Sequence, residues 1–334
     1  MEIVSVAKDG TELGMLRDIR GLDVDIGATN DFQITFGAAS WSDDILSSAD
    51  YWYADGYGEV GGRIGSVKSI TGKKQVQLMG YTWRGLLDKH IISPDSGEDY
   101  KVVSGEANAV LKELIEPCFG GLYVVSSEAS AFTISKHQFK RYETLLSGVV
   151  SMLYDVGAKL DIQYVPGKYS ASTFQPGYVL ISAVPIVDYS NEIEFSQDGK
   201  IDFTAQDYRM GVNHLICLGK GELKDRQVIH LYSDQDGNIS ETQSFFGADE
   251  IAEVYDYSSA ESLADLKSYG IQRAKELANY KALQISLNEV QAQIGDIVGG
   301  QEQITGITLK KQIAEIIVKV DSKGKLSITH KVGD

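Results

Sequence analysis

The amino-acid sequence predicts a mainly β protein with an α+β insertion, arranged as two related β-barrel domains around an inserted α+β domain. Three observations predict it. Runs with a two-residue hydrophobic period crowd residues 1–92 and return after about 195. Between them the apolar period lengthens to that of a helix. A glycine-rich turn that carries an acid and leads into a strand pair occurs in both β regions. The expected boundaries are 1–92 for the first barrel, 93–194 for the insertion and 195–334 for the second barrel, which has a helical excursion over about 222–285.

In the first region Val4 and Val6 alternate with Ile3 and Ser5, and Asp9-Gly10 supplies a tight-turn pair for a hairpin. Leu22, Val24 and Ile26 alternate with Gly21, Asp23 and Asp25. After an Asn30-Asp31 turn, Phe32, Ile34 and Phe36 alternate with Gln33 and Thr35. A further hairpin fits 63–70 and 75–80 across Thr71-Gly72-Lys73. Short strands this close together predict a small barrel or sandwich.

In the insertion, Ala107, Val110, Leu111, Leu114 and Ile115 recur at helical spacing after Ser104, and Pro117 is expected to stop that helix. Leu145, Val149, Met152, Leu153 and Val156 form a second stripe that ends at Gly157. Strand-like runs at 121–126, 131–135 and 159–164 lie between and after the helices, and Pro166, Pro176 and Pro185 mark the later edges. Beyond it, 228–232 and 239–246 flank Asp234-Gln-Asp236-Gly237-Asn238, which reads as a hairpin loop. Ser258 with Glu261 makes a capping box for a long helix with Leu263, Leu266, Ala274 and Leu277 on one face. Runs at 283–290, 303–309, 313–320 and 325–330 close the chain. The repeat that relates the two β regions is Gly58-Glu59-Val60-Gly61-Gly62, followed by Ile64 and Ile70. Its echo is Gly295-Asp296-Ile297-Val298-Gly299-Gly300, followed by Ile304 and Ile307.

A length of 334 residues accommodates two domains of about 150 residues each. Hydrophobic content of 43% and charge of 23% are those of a globular chain. The net charge of −16 argues against stable nucleic-acid binding, which needs Lys and Arg to displace counterions from phosphate. Two cysteines, Cys118 and Cys217, are too few for a disulfide framework or a thiolate metal site. Asp9, Glu12, Arg17 and Asp18 stand where a signal peptide would need an apolar run, and no stretch approaches the roughly 20 apolar residues of a membrane helix. The chain is therefore expected to be made in the cytoplasm without a transmembrane segment, and to leave a cell by lysis or inside a larger particle.

Chemistry-bearing patterns are weak. Gly56-Tyr57-Gly58-Glu59-Val60-Gly61 has dinucleotide-fingerprint spacing, but β-type residues follow it where that fingerprint needs a helix. Asp234, Asp236, Asn238 and Glu241 approximate a calcium loop, yet Ile239 stands where the sharp turn demands glycine. His90, His137, His214, His230 and His330 include no i, i+4 pair and none lies near a cysteine, so neither metal nor cofactor is expected. No Gly-x-Ser-x-Gly elbow occurs, and neither cysteine belongs to a nucleophile motif. Asp43-Asp44, Glu192 and Glu194 could supply the acid pair of a glycosidase, but among 47 acids such pairs arise by chance. Tyr51-Trp52-Tyr53, Tyr57, Tyr81 and Trp83 suit a sugar platform or, equally, a barrel core packed on the insertion. The expectation is a non-enzymatic structural protein. The alternatives are a carbohydrate- or cell-wall-binding module and, third, a peptidoglycan hydrolase.

Four segments resemble a known family in the same order along the chain. Gly80-Tyr-Thr-Trp-Arg-Gly-Leu86-Leu87-Asp88-Lys-His-Ile91-Ile92 is similar to the end of the first domain in phage tail hub proteins of the siphophage tail-associated type. Arg141-Tyr-Glu-Thr-Leu145-Leu146, continuing to Gly157 and Leu160, resembles their insertion helix. Asn213-His-Leu-Ile-Cys-Leu-Gly219-Lys-Gly221-Glu222-Leu-Lys-Asp-Arg226 looks like the Gly-x-Gly-Glu…Arg segment that opens their second barrel. The stretch from Gly295-Asp296-Ile297-Val298 to Ile317 resembles their closing strands. Hubs of contractile tails, tailocins and type VI spikes look similar.

The resemblance implies two related barrels per subunit and a homotrimer forming a pseudo-sixfold ring. That ring would join the tail tube or distal tail protein above to spike, tip or baseplate proteins below, with the tape-measure protein and DNA passing through. It implies a virion or tail-like particle assembled in the bacterial host cytoplasm. The sequence ends at Asp334, just past the last strand, so piercing or digestion is expected of a partner. A passage for DNA favours an acidic wall, since luminal Lys and Arg would bind phosphate. Asp23 and Asp25, opposite the Leu22, Val24 and Ile26 face, are the candidate channel-lining residues.

Overall fold

The alternating runs of the N-terminal region fold as seven strands in the computed structural model, which describes residues 1–41, 49–170, 173–190, 201–287, 292–301 and 308–333. They are β1 (Ile3–Ala7), β2 (Glu12–Met15), β3 (Ile19–Ile26), β4 (Asp31–Gly37), β5 (Ala49–Ala54), β6 (Gly61–Ile70) and β7 (Gln75–Thr82). All pair antiparallel in the order β3-β4-β7-β6-β5-β1-β2. Leu22, Val24, Ile26, Phe32, Ile34, Phe36, Val76 and Leu78 close over Trp52 to form one core. Each such side chain contributes about 1.5–3 kcal/mol by leaving water. The β6–β7 register shifts between Ile64 and Ser66. Across it, a Cβ on Gly80 would fall 1.9 Å from the Arg63 carbonyl oxygen, so only glycine permits this approach.

The chain then forms α1 (Trp83–Leu87), which Thr82 caps by accepting the Gly85 N–H at 3.1 Å. There follow β8 (Val102–Glu106), α2 (Ala107–Phe119), β9 (Tyr123–Val125), β10 (Thr133–Gln138), α3 (Leu145–Tyr154), β11 (Ala158–Val165), β12 (Lys168–Ser170), β13 (Thr173–Gln175) and β14 (Tyr178–Pro185). β14 lies between β11, antiparallel, and β9, parallel. The apolar stripes of α2 and α3 pack with this sheet into a second core that includes Leu111, Ile115, Val149 and Met152.

One sequence expectation needs correction in α2. Its N-cap is Glu106, whose carboxylate accepts the Ala109 N–H. Pro117 does not stop the helix, which runs on to Phe119 and ends at Gly120 with φ +56°. A proline this near a C-terminus forfeits one backbone bond. Phe119 packs on Tyr123 at 4.2 Å and His90 at 4.4 Å, which holds the last turn in place.

Next come β15 (Ile201–Tyr208), β16 (His214–Leu218), β17 (Val228–Ser233), β18 (Ile239–Ser240), β19 (Ala252–Asp256), α4 (Leu263–Leu277) and β20 (Tyr280–Leu287). The interval expected for a helical excursion thus holds β17 to β19 and α4. A four-stranded sheet, β18-β17-β16-β19, buries Leu215, Cys217 and Leu231 under Leu266 and Ala274 of α4. The capping box lies one turn later than Ser258 and Glu261. Ser262 accepts the Asp265 N–H at 3.1 Å and donates to its carboxylate at 2.8 Å. The strand expected over 239–246 is confined to β18, because Ser240 Oγ accepts the Thr242 N–H and turns the chain.

The last strands are β21 (Ile297–Gln301), β22 (Thr308–Val320) and β23 (Leu326–Val332). β22 pairs antiparallel with β3, Val318 opposite Val24, and with β23 on its other side. Strands from both ends of the chain therefore share one sheet. β20 joins it through Gln284 opposite Lys331. Of the runs expected at 283–290 and 303–309, residues 288–290 and 303–307 lie outside the described residues. By internal contacts one unit comprises 1–202, 284–300 and 309–334, and the other 203–283 and 301–308.

Candidate functional site

The two glycine-acid turns have the same physical use. In the first, Arg84 of α1 makes a bidentate pair with Glu59, Nε to Oε1 at 2.6 Å and a terminal nitrogen to Oε2 at 3.0 Å. In the second, Lys159 Nζ reaches Asp296 Oδ2 at 2.7 Å. Both arrangements close on β11. The Tyr164 N–H donates to the Gly58 carbonyl, Arg84 reaches toward the Leu160 carbonyl, and Lys159 belongs to that strand. Gly58 has φ +37° and Gly295 φ +91°, conformations glycine adopts at little cost. β6 follows the first turn, so the dinucleotide-like spacing around Gly56 lacks the helix that would hold a pyrophosphate.

Asp23 and Asp25 both lie on β3, on the side opposite its buried residues. Asp23 is exposed and pairs with Lys319 of β22 at 3.0 Å. It borders two shallow depressions of about 560 and 500 Å³, which it shares with Gln33. Asp25 is spent locally. Its Oδ1 accepts the N–H groups of Thr29 at 2.8 Å and Ala28 at 3.1 Å, an anchor for the β3–β4 turn.

The other sequence candidates resolve into structural roles. Trp52 is buried in the sheet's own core, edge-on to Phe32 at 4.9 Å, while Tyr53 and Trp83 are buried against Tyr164 of β11 at 4.6 and 5.3 Å; Tyr51 and Tyr57 are half-buried and Tyr81 is exposed. Asp234 accepts N–H groups from Asp236 and Asn238, and the Asn238 side chain holds its carboxyl below the usual range. Cys118 is exposed and Cys217 buried, both free. Asp43, Asp44, Glu192 and Glu194 lie outside the described residues.

One cluster escaped the sequence reading. The β16–β17 pairing sets His214 opposite Tyr232 and Ile216 opposite His230, which makes the two histidines diagonal neighbours on one face. His214 Nε2 lies 2.8 Å from His230 Nδ1, His214 Nδ1 lies 2.5 Å from Glu250 Oε1, and Tyr232 stacks on His214 at 4.3 Å. The period-two reading of 228–232 was the available signal, but a partner strand and register were needed to use it.

Fold and sites together define a mainly β scaffold whose conspicuous charged and aromatic side chains are used in joints between elements. No protein-family profile matches the chain, and no curated protein matches it. Solved structures are similar to it along its length. A tail protein from Neisseria meningitidis MC58 is 16% identical, with 100% of this chain and 96% of that one covered, at a TM-score of 0.48. The 43 kDa tail protein of prophage MuSo2 from Shewanella oneidensis is 13% identical over 99% and 98%, at 0.49. A chain of the phage P2 baseplate in its activated conformation with Ca is 10% identical over 100% of both, at 0.48.

Proposed function

We propose that this chain is a non-enzymatic structural hub of a phage or phage-like tail. Three copies form a pseudo-sixfold ring that connects the tube or distal tail protein to a threefold tip, spike or baseplate. The observation that carries the reading is the pair of acid turns, Glu59 with Arg84 and Asp296 with Lys159, both closed on β11. A subunit with two halves of related build needs such a correspondence. Three such subunits then offer six similar surfaces to a sixfold tube. The ordered resemblance of four segments to tail hubs supports the same reading. In it, 1–92 and 195–334 are the two related barrels and 93–194 the insertion.

The ring leaves a passage for tape measure or DNA, and its acidic residues keep DNA from adhering. Asp23 is a candidate for that wall, and Asp25 contributes charge while it anchors its turn. Screening limits such repulsion to roughly 8 Å at physiological salt, so it acts only in a narrow passage. The particle assembles in the host cytoplasm and carries this chain at the tail tip.

Native mass spectrometry tests the assembly. A species at three times the 36.5 kDa chain mass is expected, alone or with the tube protein, and purified chain should not turn over peptidoglycan. A monomer at all concentrations that is also missing from purified tails would overturn the proposal.

A further inference from the structure

The four-stranded sheet β18-β17-β16-β19 has α4 on one face. Strand register builds the other face in rows. Val254 of β19 stands beside Ile216 of β16, and Leu218 stands beside Val228 of β17. A sheet face left to water normally alternates to polar side chains. Here the middle is branched aliphatic, with Val254 and Val228 56% and 45% exposed. The one carboxylate in these rows, Asp256, is paired with Arg226 at 2.5 Å. His214 and Tyr232 close one end of the face. At the other end the β16–β17 connection presents Leu223, 93% exposed at φ +50°. That conformation is unfavourable for leucine and yields no burial within its own chain. The loop is fixed in this shape by Arg226, which donates to the Gly219 carbonyl at 3.1 Å, and by the Gln227 N–H, which donates to the Lys220 carbonyl at 2.8 Å.

α3 is a second element of this kind. None of its ten residues is charged. The solvent sides of α2 and α4 carry Lys112, Glu113, Lys267 and Glu276, whereas that of α3 carries Ser147, Val150, Ser151 and Tyr154. A helix without a charged face belongs in an interior, yet Val150 and Tyr154 are exposed and form one wall of an open cleft of about 820 Å³. We infer that the open face of β17, β16 and β19 packs on α3 of a second copy, head to tail. This contact rests on the ring of copies proposed above and names the surfaces that close it. Helix on sheet is a standard way for two apolar faces to leave water. The sizes agree: α3 is about 15 Å long and β16 about 16 Å, while three strands span about 10 Å, near the diameter of a helix. Unlike faces joined head to tail generate a ring when the rotation closes, as three copies require. A chain of net charge −16 meets its own copy at least cost through faces free of unpaired carboxylates, and both faces are free of them.

Paired cysteines test this in the full chain, with Cys118→Ser removing the exposed thiol. Val254→Cys and Val150→Cys together should yield disulfide-linked trimers, and each alone should yield unlinked chains. Val254→Glu should weaken trimer formation about tenfold or more by analytical ultracentrifugation, and so should Val150→Glu. Both sites are exposed, so circular dichroism should stay that of wild type. Val254→Lys combined with Val150→Glu should restore the trimer, which a merely local defect would not allow. Wild-type association in both glutamate variants, without cross-linking of the cysteine pair, would overturn the inference and leave the ring standing. Links formed by either cysteine alone would set that face against its own kind and overturn it as well. A wild type that is monomeric at every concentration would remove this contact together with the ring it depends on.

Discussion

Lys159 and Asp296 form an ion pair at 2.7 Å in which the side chains are only 5% and 1% exposed. Gln293 Oε1 accepts a second bond from Lys159, also at 2.7 Å. Asp296 in turn accepts the N–H groups of Val187 and Gln293, each at 2.9 Å. Removal of two charges from water costs several kcal/mol, and only their mutual attraction and these bonds offset it.

A single break should therefore cost far more than the pair contributes. Asp296→Ala leaves a buried ammonium and two unpaired amides, and should lower stability by about 3–5 kcal/mol. Lys159→Met with Asp296→Asn removes both charges and keeps an acceptor for the amides. That double variant should be more stable than Asp296→Ala and show coupling in a mutant cycle. Urea unfolding at unchanged m-value measures both. Additive, surface-sized effects would contradict the account.

Gly270 governs the contact of α4 with its sheet. A Cβ there would lie 2.6 Å from Cys217 Sγ and 2.8 Å from Leu231 Cδ1, both in the buried cluster. Alanine is about 1 kcal/mol better than glycine within a helix, while overpacking costs about 1–3 kcal/mol. Gly270→Ala should be net destabilising, and Cys217→Ala in the same chain should recover part of the loss. Thermal unfolding of the two singles and the double decides it. A stabilised Gly270→Ala would mean that α4 shifts freely.

These sites show what could be read from sequence. Alternation placed Leu22, Val24 and Ile26 inside and their neighbours outside, because a strand has one side-chain period and one buried face. The Thr71-Gly72-Lys73 turn and the helices over Leu145 and Leu263 followed from equally local rules. The cap of α4 was misplaced because Ser258/Glu261 and Ser262/Asp265 both satisfy the capping pattern, and only packing chooses between them. Glu59 and Asp296 were legible as acids in similar turns, but their partners lie 25 and 137 residues away in sequence, Arg84 and Lys159. His214 and His230 needed the strand register, which no spacing rule supplies.

Acid should destabilise the protein in two steps. His330 on β23 is buried, with no partner for Nδ1, and desolvation holds its pKa below 6.5 despite a bond to the Ala292 backbone. The unfolded chain then binds its proton more readily, so this contribution is full above about 6.5 and falls as the pH drops below it. For Glu106, burial would raise the pKa, but bonds from Ser130 and from the Ala109 and Asn108 amides outweigh it and lower the carboxyl to about 2. Its contribution is present above 4.5 and is lost as the pH falls toward 2. Melting temperature measured from pH 2 to 8 should decline in both windows. His330→Leu should flatten the upper one and Glu106→Gln the lower.

Asp23 and Asp25 separate charge from structure on one strand. Asp23 is exposed and its partner Lys319 is half exposed, so the pair is screened and contributes about 0–1 kcal/mol. Asp25 holds the N–H groups of Ala28 and Thr29 in the turn that carries β3 into β4, and a side-chain cap of this kind is worth about 1 kcal/mol or more. Asp23→Asn should therefore fold with nearly unchanged stability, while Asp25→Ala should lose about 1–2 kcal/mol by urea unfolding. The difference makes Asp23 the informative position for an acidic wall. If the proposed passage repels DNA, tails built with Asp23→Lys should assemble but deliver DNA more slowly, with the defect relieved by salt, which screens attraction to phosphate. Unchanged delivery with normal assembly would remove Asp23 from the wall, and a failure of Asp25→Ala alone would be assigned to its turn.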